Sequence, residues 1–465
     1  MVLRSKRSVV LLIIIFLVIG KPLISQDNSG SVYLTMENAI ARALARNNQV
    51  KAAEFGIKKA NWDKKNAWSR LMPFISLNSR FTRIDDRTFI ERDFRRYMPP
   101  QIRDQIPQTF FQESYFTSVD VSMPLFNGAL FNAISIANAS QKMAEKTNES
   151  TRNNIIFLVV SNYLNVLKAI DLVNLQKEHL NLSELNYEKA ERMYRAGRYS
   201  RTEALRWKID YQQQKAQVVS SESSLRSAKT ALARLVNADM TKLIQVDSRI
   251  PELLITESDK IAKLSDEEIL RMIQIDTQQL IKANASLAAA KSNKEISKLF
   301  FRNSFSSYLP NVTFNYSHAW RENNTLALDD YSPKTVTVNL SLPLFTGFSN
   351  LSATKSAYYE YKQSQEQFSD QLQNTRFVLT ETANKIINLK TQRSLSRTDV
   401  EYNENNYRVV EQQKEKGLVS NINFIDATVN LQNAKLNDVS NRYDFISAMV
   451  ELYYLLGKLD SILAL

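Results

Sequence analysis

A ten-residue stretch occurs twice in this 465-residue chain and limits its fold more than any other feature. The first copy is Val119-Asp-Val-Ser-Met-Pro-Leu-Phe-Asn-Gly128. The second starts 219 residues later, Val338-Asn-Leu-Ser-Leu-Pro-Leu-Phe-Thr-Gly347, and agrees at 6 of 10 positions. Each begins with alternating apolar and polar residues, the period of a half-buried strand. Each then reaches Pro-Leu-Phe-x-Gly, which is expected to end the strand. No proline lies between Pro124 and Pro251 or after Pro343, so each copy opens a long proline-free tract. A strand turning into a very long helix, twice, makes the chain a duplicated unit rather than a short-repeat solenoid.

Composition enters through what it forbids. With 8 Gly and 10 Pro, turns are scarce and elements must be long. Gly128, Gly197, Gly347 and Gly417 sit at matching places in the two halves. Cysteine is absent, which excludes disulfides, thiolate metal sites and Cys nucleophiles. His179 and His318 are the two histidines, too far apart in sequence for a His-rich metal cluster. The formal charge is +12, with Arg4, Lys6, Arg7 and Lys21 all near the N-terminus. Beyond them acidic and basic residues are interspersed, the pattern of solvated helix faces and not of a nucleic-acid-binding block. Those first cations, the apolar run 9–19 and the small or polar residues through Ser25 read as an export signal over residues 1–25. No later stretch is expected to cross a membrane as a helix, so later membrane contact would be a barrel or a surface helix.

The first unit spans 26–236. A helix begins at Thr35, and another covers about 49–70 with Ala52, Ala53, Ile57, Ala60 and Ala67 on one side. Strands follow at about 74–82 and 115–123, joined by a long polar loop. A helix from about 130 to 195 has Ile156, Val159, Tyr163, Val166, Ile170 and Val173 at coiled-coil spacing. It ends at Gly197, a favoured residue after a helix C-terminus. Ser200-Arg-Thr-Glu203 is a capping box that restarts the helix. Residues 237–264 form a mixed linker. The second unit, 265–465, repeats the order: a helix over about 278–304, strands at about 311–320 and 335–342, a helix over about 349–416, a tip at Gly417 and a final helix. That helix has Leu436, Val439, Tyr443, Ile446, Val450 and Tyr453 as its seam.

Four amphipathic strands cannot close a barrel, which needs about eight. The strands must pair between chains or pack elsewhere. Their length suits an outer-membrane barrel, and Phe74, Phe81, Tyr115, Phe116, Phe126, Trp320 and Phe345 gather near their ends as an interfacial girdle would. Those aromatics also suit a soluble sheet, and the helical spacing alone also suits a solid, non-pore coiled-coil scaffold. No nucleophile elbow, paired-carboxylate motif or phosphate loop stands out, so no enzyme or cofactor is expected.

At Pro124-Leu-Phe-x-Gly128, Pro343-Leu-Phe-x-Gly347 and the Gly197 and Gly417 hairpins, the chain resembles the TolC-like outer-membrane efflux proteins. The resemblance covers nearly all of the chain after the signal. It implies a mainly α protein with membrane β structure: a homotrimer with a twelve-stranded barrel in outer-membrane lipid, continued by an α-helical barrel across the periplasm. It implies a channel for an efflux pump or type I secretion system. The hairpin tips, Gly197 with Arg198 and Gly417 with Leu418, would meet a periplasmic adaptor (membrane fusion) protein and, through it, an inner-membrane pump. In that family acidic residues six and nine positions after the second hairpin glycine line the entrance. Here those positions are Asn423 and Asp426, and Glu203 is the first-unit counterpart of Asn423. The family's tyrosine and arginine hinge positions fall on Lys414 and Val419, so that gate does not carry over.

Overall fold

The computed structural model describes residues 31–463 apart from 104, 108, 240–242 and 324–331. The expected export signal at 1–25 lies outside them. The chain opens with β1 (Ser31–Leu34), α1 (Met36–Arg46), α2 (Asn48–Ser69) and β2 (Phe74–Arg83). The connection to β3 (Glu113–Asn127) is not a plain loop; it holds α3 (Asp86–Arg92), a 3-10 turn at Phe94–Tyr97 and α4 (Pro100–Arg103). Then α5 (Gly128–Arg195) and α6 (Arg201–Leu235) form the first hairpin. The segment read as a mixed linker contains β4 (Leu243–Val246) and α7 (Glu252–Lys263), and β4 pairs in parallel with β1. Next come α8 (Asp266–Met272), α9 (Thr277–Ala283) and α10 (Ala285–Ser304), so the helix expected over 278–304 is broken at Asn284. A 3-10 turn (Phe305–Tyr308), β5 (Asn311–Asn323) and β6 (Lys334–Ser341) follow. The second hairpin is α11 (Ser349–Glu415) with α12 (Asn421–Leu455), and α13 (Asp460–Leu463) comes last.

The helices stand in four columns. At the hairpin end the neighbours run α6, α5, α12, α11; at the sheet end they run α2, α5, α10, α11. Two columns are therefore single helices, α5 and α11, with 68 and 67 residues, each about 100 Å long at 1.5 Å per residue. The other two are spliced end to end, α6 onto α2 and α12 onto α10. Both splices are made by one asparagine doing two jobs. Asn47 Oδ1 accepts from Gln49 N at 2.8 Å, capping α2, while its Nδ2 donates to Leu235 O at 2.9 Å, the end of α6. Asn284 Oδ1 accepts from Leu287 N at 3.1 Å, capping α10, while its Nδ2 donates to Leu455 O at 3.3 Å, the end of α12. An orphan donor of one helix and an orphan acceptor of the other are thus satisfied across the joint.

The core lies around these joints. Ile155, Val159, Tyr163 and Val166 of α5 and Tyr443, Ile446 and Val450 of α12 are buried together with α1, α7 and the α10 start. This stretch of α5 includes an 18-residue window of mean hydropathy 1.6, apolar and long enough to cross a membrane. That corrects the expectation of no such helix; 44% of the window is buried inside the protein. On α2, Ala60 and Ala67 are buried as expected but Ala52 is exposed.

The sheet keeps the column order. Its strands run β2-β3-β5-β6, all antiparallel, each joined to its own column. The register places Ser76, Asn78, Arg80, Asp120, Ser122, Asn315, Ser317, Thr335 and Thr337 on one face. The other face carries Ile75, Leu77, Phe81, Val119, Val121, Phe314, Tyr316, Val336, Val338 and Leu340. Of these, Ile75, Leu77, Phe81, Val336, Val338 and Leu340 are each more than half exposed. At about 1.5–3 kcal/mol per large apolar side chain, leaving those six in water forgoes roughly 9–18 kcal/mol.

The two strand-to-helix corners differ from expectation and from each other. β3 does not stop at Pro124. It passes through a register shift between Pro124 and Phe126, runs on to Asn127, and Gly128 opens α5 directly. β6 does stop before Pro343, and α11 begins only after Gly347 and Phe348, both with positive φ.

Candidate functional site

The hairpin tips gather the residues that the resemblance marks. Both turns are Schellman closures. At the first, Gly197 (φ +69) sits past the end of α5, with Gly197 N donating to Tyr194 O at 2.9 Å and Arg198 N to Met193 O at 2.9 Å. At the second, Gly417 (φ +74) repeats this, with Gly417 N donating to Lys414 O at 3.1 Å and Leu418 N to Gln413 O at 2.9 Å. Arg198 is exposed, and Leu418 is 73% exposed, an apolar side chain at the extreme end of the molecule.

The tips are tied to each other through Glu203. Its Oε2 accepts from Ser200 N at 2.9 Å and Ser200 Oγ at 3.1 Å, completing the expected capping box. Its Oε1 accepts from Asn421 Nδ2 at 3.0 Å, on the other hairpin. Asn421 Oδ1 in turn accepts from Lys414 Nζ and, at 3.4 Å, from Tyr199 Oη. Lys414 Nζ also lies 6.0 Å from the centre of the Tyr199 ring. Hydrogen bonds to the carboxylate, the Ser200 backbone N–H first, hold the Glu203 pKa below its ordinary value. Desolvation lowers the Lys414 pKa, against the opposing pull of Glu203. Lys414 therefore has a bonding role at the tip even though its side chain differs from the family's hinge tyrosine.

Asn423 and Asp426 lie elsewhere. Both are exposed, one turn apart on α12, and the Ser420 Oγ that caps this helix accepts from Asn423 N at 3.3 Å. Asp426 has no ion-pair partner among the described residues. The structure thus separates Glu203, engaged between the hairpins, from Asp426, which is exposed on α12.

Behind the tie, Trp207 and Phe424 pack at 6.2 Å between ring centres, with Tyr407 5.7 Å from Phe424 and Ala190 buried beside them. Further up is a polar layer. Gln432 Nε2 donates to Gln176 Oε1 at 3.0 Å and Gln214 Oε1 at 2.9 Å, joining α5, α6 and α12. Burial keeps neighbouring His179 neutral, its pKa lowered to about 4, and raises that of Asp210. Asn421, Tyr199, Trp207 and Phe424 were not singled out by the sequence. Trp207 and Phe424, each within two turns of a helix start beside a Gly hairpin, were the available signal.

A wall of four long columns under an amphipathic sheet of four strands, with its hairpin tips about 100 Å from that sheet, is the build of a channel protein. Comparison with known proteins agrees. The profile of the outer membrane efflux protein family matches residues 39–238 and 273–458. Outer membrane protein TolC of Vibrio cholerae is 22% identical over 365 residues, 77% of this chain and 79% of that protein. The alkaline protease secretion protein AprF of Pseudomonas aeruginosa is 21% identical over 358 residues, 75% of this chain and 70% of that protein. Among solved structures, the CmeC outer membrane channel of Campylobacter jejuni superposes with a TM-score of 0.77, at 14% identity, over 91% of this chain and 86% of that one. The chain belongs to the outer membrane efflux protein family, a family of outer-membrane channels, and is an outer-membrane transport protein that extends into the periplasm.

Proposed function

We propose that three copies of this chain form a passive exit duct, with a twelve-stranded barrel in the outer membrane and a twelve-column tube across the periplasm. One observation carries the reading. The sheet order and the column order coincide, so the unpaired edges of β2 and β6 stand above the open sides of the α2/α6 and α11 columns. A wall whose free edges line up from top to bottom closes when copies meet side by side, and a closed barrel has no exposed strand edge. The exposed apolar face then meets lipid and the polar face lines the lumen. A non-pore scaffold gives that apolar face no solvent that suits it.

In this reading the units 26–236 and 265–465 each supply half of a protomer's wall, with the equatorial segment at 237–264 between them. Pro124, Gly128, Pro343 and Gly347 mark the passage from barrel to helices. The tips are the periplasmic entrance. Gly197, Arg198, Gly417 and Leu418 face a periplasmic adaptor, and an inner-membrane pump or secretion ATPase supplies the energy. The chain performs no chemistry itself. Three copies of Asp426 form an acidic ring at the entrance, with Asn423 beside it, favouring cations there. The Glu203–Asn421 tie holds the hairpins together until the adaptor docks. AprF is named as a protease secretion protein, so a protein cargo is one use of such a duct.

The test is conductance in planar bilayers, with crosslinking from cysteines introduced on β2 and β6. The reading expects single channels, a crosslinked trimer and a lower cation preference in Asp426→Asn. A crosslinked dimer, or membranes that stay silent at any protein concentration, would overturn it.

A further inference from the structure

We infer that the polar face of the sheet carries a second, oppositely charged selectivity site: an arginine belt at the loop end of the barrel that binds multivalent anions such as phosphates. This rests on the duct reading above. In the register of the sheet, Phe116 of β3 stands directly opposite Arg80 of β2 on one side and Arg321 of β5 on the other. Both guanidiniums lie over the Phe116 ring, at 5.7 and 5.8 Å from its centre. The three side chains form one row across three strands, on the face that also carries Asn78, Asp120 and Ser317, so Phe116 lies on the polar face and not in the girdle expected of it.

The stack matters because of what it leaves free. An arginine lying on an aromatic face keeps its charge and its in-plane N–H donors while its stem is held against the wall. Neither Arg80 nor Arg321 has a carboxylate partner among the described residues. Asp120 is the acidic side chain that the strand register puts on this face, four residues along β3 from Phe116, or about 13 Å. It is already engaged. Asp120 Oδ2 accepts from Asn78 Nδ2 and Ser118 Oγ, both at 2.7 Å, and Oδ1 accepts from Ser317 Oγ. The row is thus two cations per chain with no carboxylate partner among the described residues, six in a closed trimer, inside low-dielectric walls that strengthen their field.

Position separates this site from the entrance. Arg80 is six residues along β2 from Phe74, so the belt lies about 20 Å up the strand from the helix end and close to the loops. A solute leaving the tube would pass the acidic tips first and the basic belt last. Arg–phosphate pairing is commonly bidentate, which favours multivalent phosphates and carboxylates over chloride.

The test uses the full chain in planar bilayers with inorganic tripolyphosphate as the probe. Wild-type channels are expected to be blocked by tripolyphosphate added on the loop side, less so as salt rises. The double variant R80Q/R321Q is expected to need at least about tenfold more probe for half-block and to roughly double the potassium-to-chloride permeability ratio. R80K/R321K, which keeps the charge and loses the fork, should retain most of the chloride permeability and lose part of the block. Open wild-type channels indifferent to the probe, with R80Q/R321Q unchanged in selectivity, would overturn the belt and leave the duct intact. Absence of any channel would overturn both.

Discussion

The two Pro-Leu-Phe-x-Gly corners share their letters and are built differently. At the first, β3 passes straight into α5, and Gly128 leaves space for a neighbour: a Cβ there would sit 2.7 Å from Leu309 Cδ1, a movable side-chain tip. At the second the chain turns through two left-handed residues, and Gly347 is needed for its φ of +59, with open space around it. The splices show the opposite pattern, different letters for one construction. Asn237 (φ +47) and Gly457 (φ +65) close α6 and α12 in the same way. Asn237 has room and donates from Nδ2 to Arg46 O at 3.3 Å; at Gly457 a Cβ would lie 2.1 Å from Ala283 O. A duplicated chain can keep a residue while changing its reason, or keep the reason while changing the residue.

Exchanging the splice residues should have the largest effect. Gly457→Asn forces a side chain into the α9 backbone and should cost about 3 kcal/mol or more, read as loss of assembled protein from membranes. Asn237→Gly gives up one long hydrogen bond and relieves a left-handed residue, so its unfolding free energy from urea titration should change by under about 1 kcal/mol. Similar losses in the two variants would break the comparison. Next in size are Asn47→Ala and Asn284→Ala. Each removes a cap worth about 1 kcal/mol and strands a helix-end carbonyl at about 1–3 kcal/mol. Aspartate at either place should restore the cap alone, and thermal dissociation of the assembled form would show whether that partial rescue occurs.

The corners should then separate by mechanism. Gly347→Ala should cost about 1–2 kcal/mol through its backbone. Gly128→Ala should cost about 0.5–1 kcal/mol, because a leucine tip can change rotamer. Adding Leu309→Ala should mask the second change and not the first, a double-mutant cycle that denaturation can measure. The smallest effect concerns the tips. Because the Glu203 pKa is depressed in the folded chain, its contribution is complete above the ordinary glutamate range and fades as pH falls through the lowered value. Acidification through that window should loosen the hairpins and raise channel conductance. Glu203→Gln should conduct more at neutral pH and respond less to acid.

The architecture was legible because its signals are long and local. Period-two strands, hairpin glycines and coiled-coil seams such as Ile156 to Val173 recur twice in the same order. What sequence reading missed depends on distant partners. β1 and β4 are four residues each and exist by pairing across more than two hundred positions. The break at Asn284 is invisible until Leu455 arrives above it. At the tips Glu203 announced its capping box through Ser200, while its tie to Asn421 joins residues 218 apart. Proline misled at the first corner, since Pro124 sits where β3 has a register shift and a missing N–H costs little.

The four columns also act as a measuring rod. Two are unbroken and two are jointed by an asparagine, yet all must arrive together at the sheet above and the tips below. One residue removed from α5 alone would shorten it by about 1.5 Å and swing every later side chain by roughly 100°. The depth this protein can reach is therefore changeable only by matched, whole-turn edits in all four columns at once.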